Sequence, residues 1–130
     1  MGALDPADRD LAQAVNFAAL TVNLRSGRAM THVMWVDADD DHVLINTEVH
    51  RAKFKAIERD PRVTVTIWVR ENPYSYAEVR GRVVEKVRGP EARAHIDALA
   101  QKYHGRDYDS ANIQSERVIL RIAPDVQHVR

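Results

Sequence analysis

The stretch HVLINTEVHRAKFKAIERDPRVTVTIWV, residues 42–69, decides how this 130-residue chain is read. It opens on an apolar run (42–47) and passes through the basic cluster His50, Arg51, Ala52, Lys53, Phe54 and Lys55. It then turns at Asp60, Pro61 and Arg62 and ends in a segment of period two. In that last segment Val63, Val65, Ile67 and Val69 alternate with Arg62, Thr64, Thr66 and Trp68, the pattern of a half-buried strand. The cluster between the two strands reads as the start of a short helix. Unpaired N–H groups at a helix N-terminus carry partial positive charge, so Arg51, Lys53 and Lys55 placed there form a seat for a phosphate.

Working outward, Asp5, Pro6 and Asp8 read as an N-cap, a proline at the first helical position and an acidic first turn, with Leu11, Ala14, Val15 and Ala18 at helical spacing. Residues 19–24 and 29–37 are β-prone and flank the turn Arg25, Ser26, Gly27, Arg28, which predicts a hairpin. The acidic run 37–41 lacks the glycine and distal glutamate of a calcium loop and reads as a solvated connection. Towards the C-terminus, residues 71–74 are expected as a loop and 75–87 as a long alternating strand in which Gly81 marks a bend or bulge. Pro90 opens a helix with Ala92, Ile96, Leu99 and Tyr103 on one face and Gly105 beyond its end. Residues 106–115 read as a polar loop. Residues 116–123 are apolar on both faces, the pattern of a central strand, and 124–130 are expected as a short tail. Six short strands joined mostly by tight turns predict a mainly β (α+β) domain, a small antiparallel barrel with peripheral helices, in a single unit over residues 1–130.

Composition narrows the function classes. The chain has 19 basic and 19 acidic residues, so it has no global field for nucleic acid, and anion recognition must be local. It has no cysteine, which excludes disulfides and thiolate metal sites and is compatible with a reducing cytoplasm. No run approaches the roughly 18 apolar residues of a membrane span, and residues 1–10 lack the basic-then-apolar order of a signal peptide, so a soluble, cytoplasmic location is expected. His32, His42, His50, His95, His104 and His128 show no zinc spacing, and no metal is assigned. No nucleophile-elbow or phosphate-loop motif is present. Charge runs such as 51–55 are most often the solvated face of a surface helix, and a strand histidine such as His32 is most often a packing residue.

The order of these motifs resembles a known family. Arg51-Ala-Lys53 follows a strand ending Asn46-Thr47. Asp60-Pro61-Arg62-Val63, Asn72-Pro73-Tyr74, Glu78-Val79-Arg80-Gly81-Arg82-Val83, Ile96-Asp97-Ala-Leu99-Ala-Gln-Lys102-Tyr103 and Arg117-Val118-Ile119-Leu120-Arg121-Ile122 come after it. Together they resemble the pyridoxamine-phosphate-oxidase-like split β-barrel proteins, and within them the small actinobacterial flavin/deazaflavin oxidoreductases dependent on coenzyme F420. The resemblance covers nearly the whole chain and rests on order and spacing. It implies a six-stranded antiparallel split β-barrel, a homodimer with two cofactor sites at the subunit interface, and a small-molecule substrate. It implies Arg51 and Lys53 as phosphate ligands with Lys55 supporting. His32, Val33, Met34 and Trp35, with Ile45, Asn46 and Thr47, would flank the ring system, and Tyr76 would contact cofactor or cover substrate.

The cofactor is expected to be coenzyme F420, with FMN as the alternative. F420 carries a phosphodiester and an oligoglutamate tail, and Arg51, Lys55 and Arg59 on one helical stripe would suit an extended anion. The expected activity is hydride transfer from the reduced deazaflavin to a conjugated small molecule, with no catalytic residue assigned. Three other readings stay open: an FMN-binding oxidoreductase of the same fold, a non-catalytic module binding F420, haem or another tetrapyrrole, and a structural dimer with a degenerate site. Pyridoxine-phosphate oxidase activity fits poorly with so short a chain and tail.

Overall fold

The computed structural model describes residues 3–129. Helix α1 (Pro6–Gln13) starts at the predicted proline with Asp5 in the N-cap position, and its neighbour β1 (Phe17–Asn23) pairs antiparallel with β2 (Ala29–Trp35) in the predicted hairpin. β3 (Asp37–Ala38) and β4 (Val43–Glu48) follow, then α2 (Ala52–Arg59), β5 (Arg62–Val69), β6 (Asn72–Arg88), α3 (Pro90–His104), a 3-10 turn (Ser110–Asn112) and β7 (Arg117–Val129). The strands form one antiparallel sheet in the order β2-β1-β5-β6-β7-β4-β3, curled into a half-barrel.

The sheet therefore has seven strands, not six. The segment 29–37 looks continuous in sequence but breaks at Val36, where the chain leaves one edge of the sheet (β2) and joins the other (β3). Val36 is buried and has no strand partner, so its backbone groups need other partners. Helix α3 supplies them. The Val36 N–H donates to the Tyr103 hydroxyl at 3.1 Å, and the Lys102 ammonium donates to the Val36 carbonyl at 2.5 Å. The same ammonium reaches the Ala12 carbonyl at 3.1 Å, tying α1 to the break.

Two further boundaries differ from expectation. β6 begins at Asn72, opposite Val69, while residues 73–75 bulge out of the ladder and leave Tyr74 86% exposed. β7 does not stop at residue 123 but runs on through Pro124 to Val129; of the expected tail, Arg130 lies outside the described residues, as do Met1 and Gly2. The strand tolerates Pro124 because it faces Gly81 at a register shift, the predicted bulge, where the missing N–H leaves no ladder bond broken. Gly81 is required there, since a Cβ on it would lie 2.0 Å from the Ala123 carbonyl oxygen.

The core fills the concave side of the sheet. Leu20, Val65, Ile67, Ile45, Leu120 and Ile122 meet Phe54 and Ile57 of α2, all fully or almost fully buried. Helix α3 packs on the other side of β4 and β7, where Ala92 lies against Leu44 and Ile119, and ends at Gly105 in the left-handed conformation that its φ of 74° demands. Among the described residues, no helix is long and apolar enough to cross a membrane.

Candidate functional site

The break at Val36 leaves a seam where β2 approaches β4, and a cavity of about 360 Å³ opens along it. From β1 and β2 come Phe17, Val33, Met34 and Trp35; from β4, Asn46 and Thr47; from the start of α2, Arg51 and Lys53. Ile96 and Leu99 of α3, with Tyr108 and Arg117, complete the lining. Because β2 is an edge strand, both of its faces border the cavity, which is how Val33 and Met34 both reach it.

One wall is aromatic. Trp35 stacks on Tyr103 with ring centroids 4.9 Å apart, Phe17 stacks on the same tyrosine at 5.6 Å, and Tyr108 meets Trp35 edge-on at 6.2 Å. Such walls suit a flat ring system.

The other end is cationic. Lys53 is only 9% exposed, and no side-chain hydrogen bond or ion pair engages its ammonium among the described residues. Burial, then the charges of Arg51 and Arg117, hold its pKa below the ordinary lysine value. At the start of α2 the Phe54 and Lys55 N–H groups return to the Arg51 carbonyl, which leaves the first N–H groups of the helix facing outward. Arg117 is buried beside Glu48: its NH1 donates to Glu48 Oε2 at 3.1 Å, and its guanidinium lies over the Tyr108 ring at 5.3 Å. Burial alone would raise the Glu48 carboxyl. The Ser115 and Gln114 N–H groups, each 2.7 Å from Oε1, together with Arg117 and His50, outweigh that and keep it ionised. The Glu48 carboxylate is thus paired with Arg117, while Arg51 and Lys53 line the cavity beside it, and the balance at this end of the cavity is positive.

Of the residues singled out from the sequence, the structure brings Val33, Met34, Trp35, Asn46, Thr47, Arg51 and Lys53 into the cavity lining. It places the others elsewhere. His32 is exposed on β2, Ile45 is sealed in the core beneath the site, Lys55 points to solvent, and Tyr76 is half-buried on β6 opposite Trp68. Lys53 and Lys55 separate because two residues along a helix turn a side chain by roughly 200°. The basic stripe also divides: Arg51 lines the cavity, while Arg59 donates to the Asn23 carbonyl at 2.8 Å. Sequence reasoning missed Phe17, Tyr108 and Arg117. Arg117 reaches the site only because β4 and β7 pair with Glu48 opposite it, a register that no local pattern encodes.

A curled antiparallel sheet with a cavity at its seam, aromatic along one wall and cationic at one end, is the architecture of the split-barrel class, a fold that binds flavins. The chain belongs to the pyridoxamine 5'-phosphate oxidase family, whose profile matches residues 4–129. Among solved structures it is similar to an F420 reductase, with a TM-score of 0.83 at 24% identity over 96% of this chain and 98% of that one. It is similar also to a conserved hypothetical protein from Mycobacterium tuberculosis, with a TM-score of 0.76 at 20% identity over 97% of this chain and 84% of that one. A third, from Listeria innocua, is a putative pyridoxamine 5'-phosphate oxidase with a TM-score of 0.65 at 15% identity over 92% and 90% of the two chains. At these identities the likeness establishes the fold. No curated protein matches the sequence.

Proposed function

We propose that this chain is a reductase that uses reduced coenzyme F420 and acts on a conjugated, electron-poor small molecule. The observation that carries the reading is the buried Lys53 ammonium, without a partner among the described residues and close to the charges of Arg51 and Arg117, at one end of a cavity walled by Trp35, Met34 and Phe17. A buried charge without a partner is costly, and an anionic ligand group removes that cost. The residues present therefore fit a cofactor with a phosphate at one end and a flat ring at the other. Arg51, Lys53 and Arg117 would hold the phosphate, and the aromatic wall would seat the ring. When bound, the reduced deazaflavin supplies the hydride. The chain's own contribution is orientation and exclusion of water, so a dedicated protein acid is not required. Support for F420 over FMN comes from the similarity to an F420 reductase across almost the full length of both chains.

The working unit in this reading is a homodimer. Val33 borders the cavity yet is 67% exposed, so the β2 side of the site is unfinished in one chain, and a second copy would cover it. The test is a parallel titration with coenzyme F420 and FMN, followed by quenching of Trp35 and Trp68 fluorescence, with the oligomeric state read by light scattering. Tighter binding of F420, followed by turnover of its reduced form with an activated alkene, is the expected result. Tighter binding of FMN would replace this reading with the flavin oxidoreductase one, and binding without turnover would leave a cofactor-sequestering module.

A further inference from the structure

A single polar chain runs beneath the cavity, and hydrogen-bond chemistry forces its direction. Asn46 sits at its centre and is 5% exposed. Its carboxamide nitrogen lies 3.0 Å from the Ala92 carbonyl oxygen, which can only accept, and its oxygen lies 2.8 Å from Arg117 Nε, which can only donate. The amide therefore has one orientation. The same nitrogen lies 3.0 Å from His95 Nδ1, so Nδ1 must be the bare, accepting nitrogen of that ring. The ring proton then sits on Nε2, 3.1 Å from Asp37 Oδ2. The Asp37 carboxyl is ionised accordingly: burial raises it, but the hydrogen bond from His95, the Ala38 N–H and the Lys102 charge lower it further.

Asp37 on β3, His95 on α3, Asn46 on β4 and Arg117 on β7 are thus joined across four elements. Both amide hydrogens of Asn46 are used within the protein, so although it borders the cavity it has no donor left for a ligand. Arg117, by contrast, stands close to two other cations, and two acceptors hold its guanidinium against their repulsion: Glu48 Oε2 on NH1 and Asn46 Oδ1 on Nε, the second of which sets the roll of the guanidinium plane. We propose that Asn46 is a positioning residue for Arg117, and that His95, braced by Asp37, holds Asn46 in the one amide orientation that aims the guanidinium into the cavity. The proposal rests on reading Arg51, Lys53 and Arg117 as the seat of a cofactor phosphate.

The test uses the full chain and whichever of FMN and coenzyme F420 it binds more tightly. His95→Phe, which removes the acceptor from Asn46, should weaken binding by about tenfold. His95→Asn returns an oxygen to the position of Nδ1 and should bind within about twofold of the native chain. In an Arg117→Lys background, where no Nε exists to be aimed, His95→Phe should change affinity by less than about twofold. A His95→Asn chain as weak as His95→Phe, or an equal cost of His95→Phe in both backgrounds, overturns the proposal. If His95→Phe does not fold, ¹⁵N NMR of the native chain decides: Nδ1 of His95 should be the bare, accepting nitrogen with the ring proton on Nε2, and a proton found on Nδ1 overturns the proposal. Binding that is lost in Lys53→Ala but indifferent to His95 refutes the positioning role alone. A native chain that binds neither cofactor refutes it together with the phosphate-seat reading.

Discussion

Trp35 and Tyr103 stack almost parallel, their ring planes 5° apart, so the indole that faces the cavity is backed by a phenol anchored outside it. The Tyr103 hydroxyl accepts the Val36 N–H and donates to the Asn16 carbonyl. One residue thus satisfies the strand break and backs the cavity wall, which links the crossing between the two sheet edges to the shape of the site.

Tyr103→Phe keeps the stacked ring and deletes both hydrogen bonds. Stability in urea should fall by about 1–3 kcal/mol, the cost of leaving a buried N–H unpaired, while the stacking partner of Trp35 remains in place. An unchanged unfolding midpoint would mean that water replaces the hydroxyl.

Lys53→Ala should weaken binding of the phosphate-bearing cofactor by about 1.5–3 kcal/mol, the range of a charged hydrogen bond, while leaving the fold intact. The native chain should also show proton uptake on binding. Its Lys53 pKa is held below the ordinary 10.5 by burial and by Arg51 and Arg117, and a neighbouring phosphate raises it. Affinity should therefore fall as the pH rises through the lowered value of the free protein. Calorimetry in buffers of different ionisation enthalpy measures this, and the dependence should disappear in Lys53→Ala.

Asp8 on α1 is fully buried, and neither carboxylate oxygen has a hydrogen-bond partner among the described residues. Burial, with Asp5 nearby, pushes its carboxyl up from 3.8 to about 6. Above that value the folded state holds an ion that the unfolded chain solvates better, so stability is reduced. As the pH falls through about 6 towards 3.8 the folded form takes up the proton first, and stability recovers. Asp8→Asn should therefore raise stability by about 1–2 kcal/mol at neutral pH, the desolvation of the buried amide limiting the gain, and the gain should shrink in acid. Thermal melts across that range check the sign.

Gly81→Ala would drive a methyl group into the Ala123 carbonyl oxygen, a backbone atom with no side-chain freedom to yield. The β6–β7 pairing must shift to admit it, at a cost of about 3 kcal/mol or more. A large fall in melting temperature is expected; a melt within a degree or two of the native chain would show that the bulge can relax.

Helix α1, the β1–β2 hairpin, β5 and α3 were legible in the sequence because each is announced by local chemistry: a proline at a helix start, a glycine turn, strict alternation, a helical apolar face closed by Gly105. The break at Val36 was not, because an apolar residue between Trp35 and Asp37 looks the same in a continuous strand as in a crossing between sheet edges. Nor was the passage of β7 through Pro124, which depends on the distant Gly81 standing opposite it. In the site, the pairing of Arg51 with Lys53 could be anticipated from their place after β4. That Lys53 turns inward while Lys55 turns out depended on which face of α2 carries Phe54 and Ile57 into the core.

By itself, then, the sequence determined the periodic elements, their order, the basic start of α2 and, through the order of its motifs, the family. These depend on residues near one another in the chain, where propensity and spacing act. Only the tertiary structure decided that β2 and β3 lie at opposite edges of one sheet, that the seam between them holds a cavity, and that Arg117 joins Arg51 and Lys53 there. It also decided that Asn46 faces Arg117 and His95 with no donor to spare. Each of these depends on strand register and edge placement, which follow from how the whole sheet curls around its core.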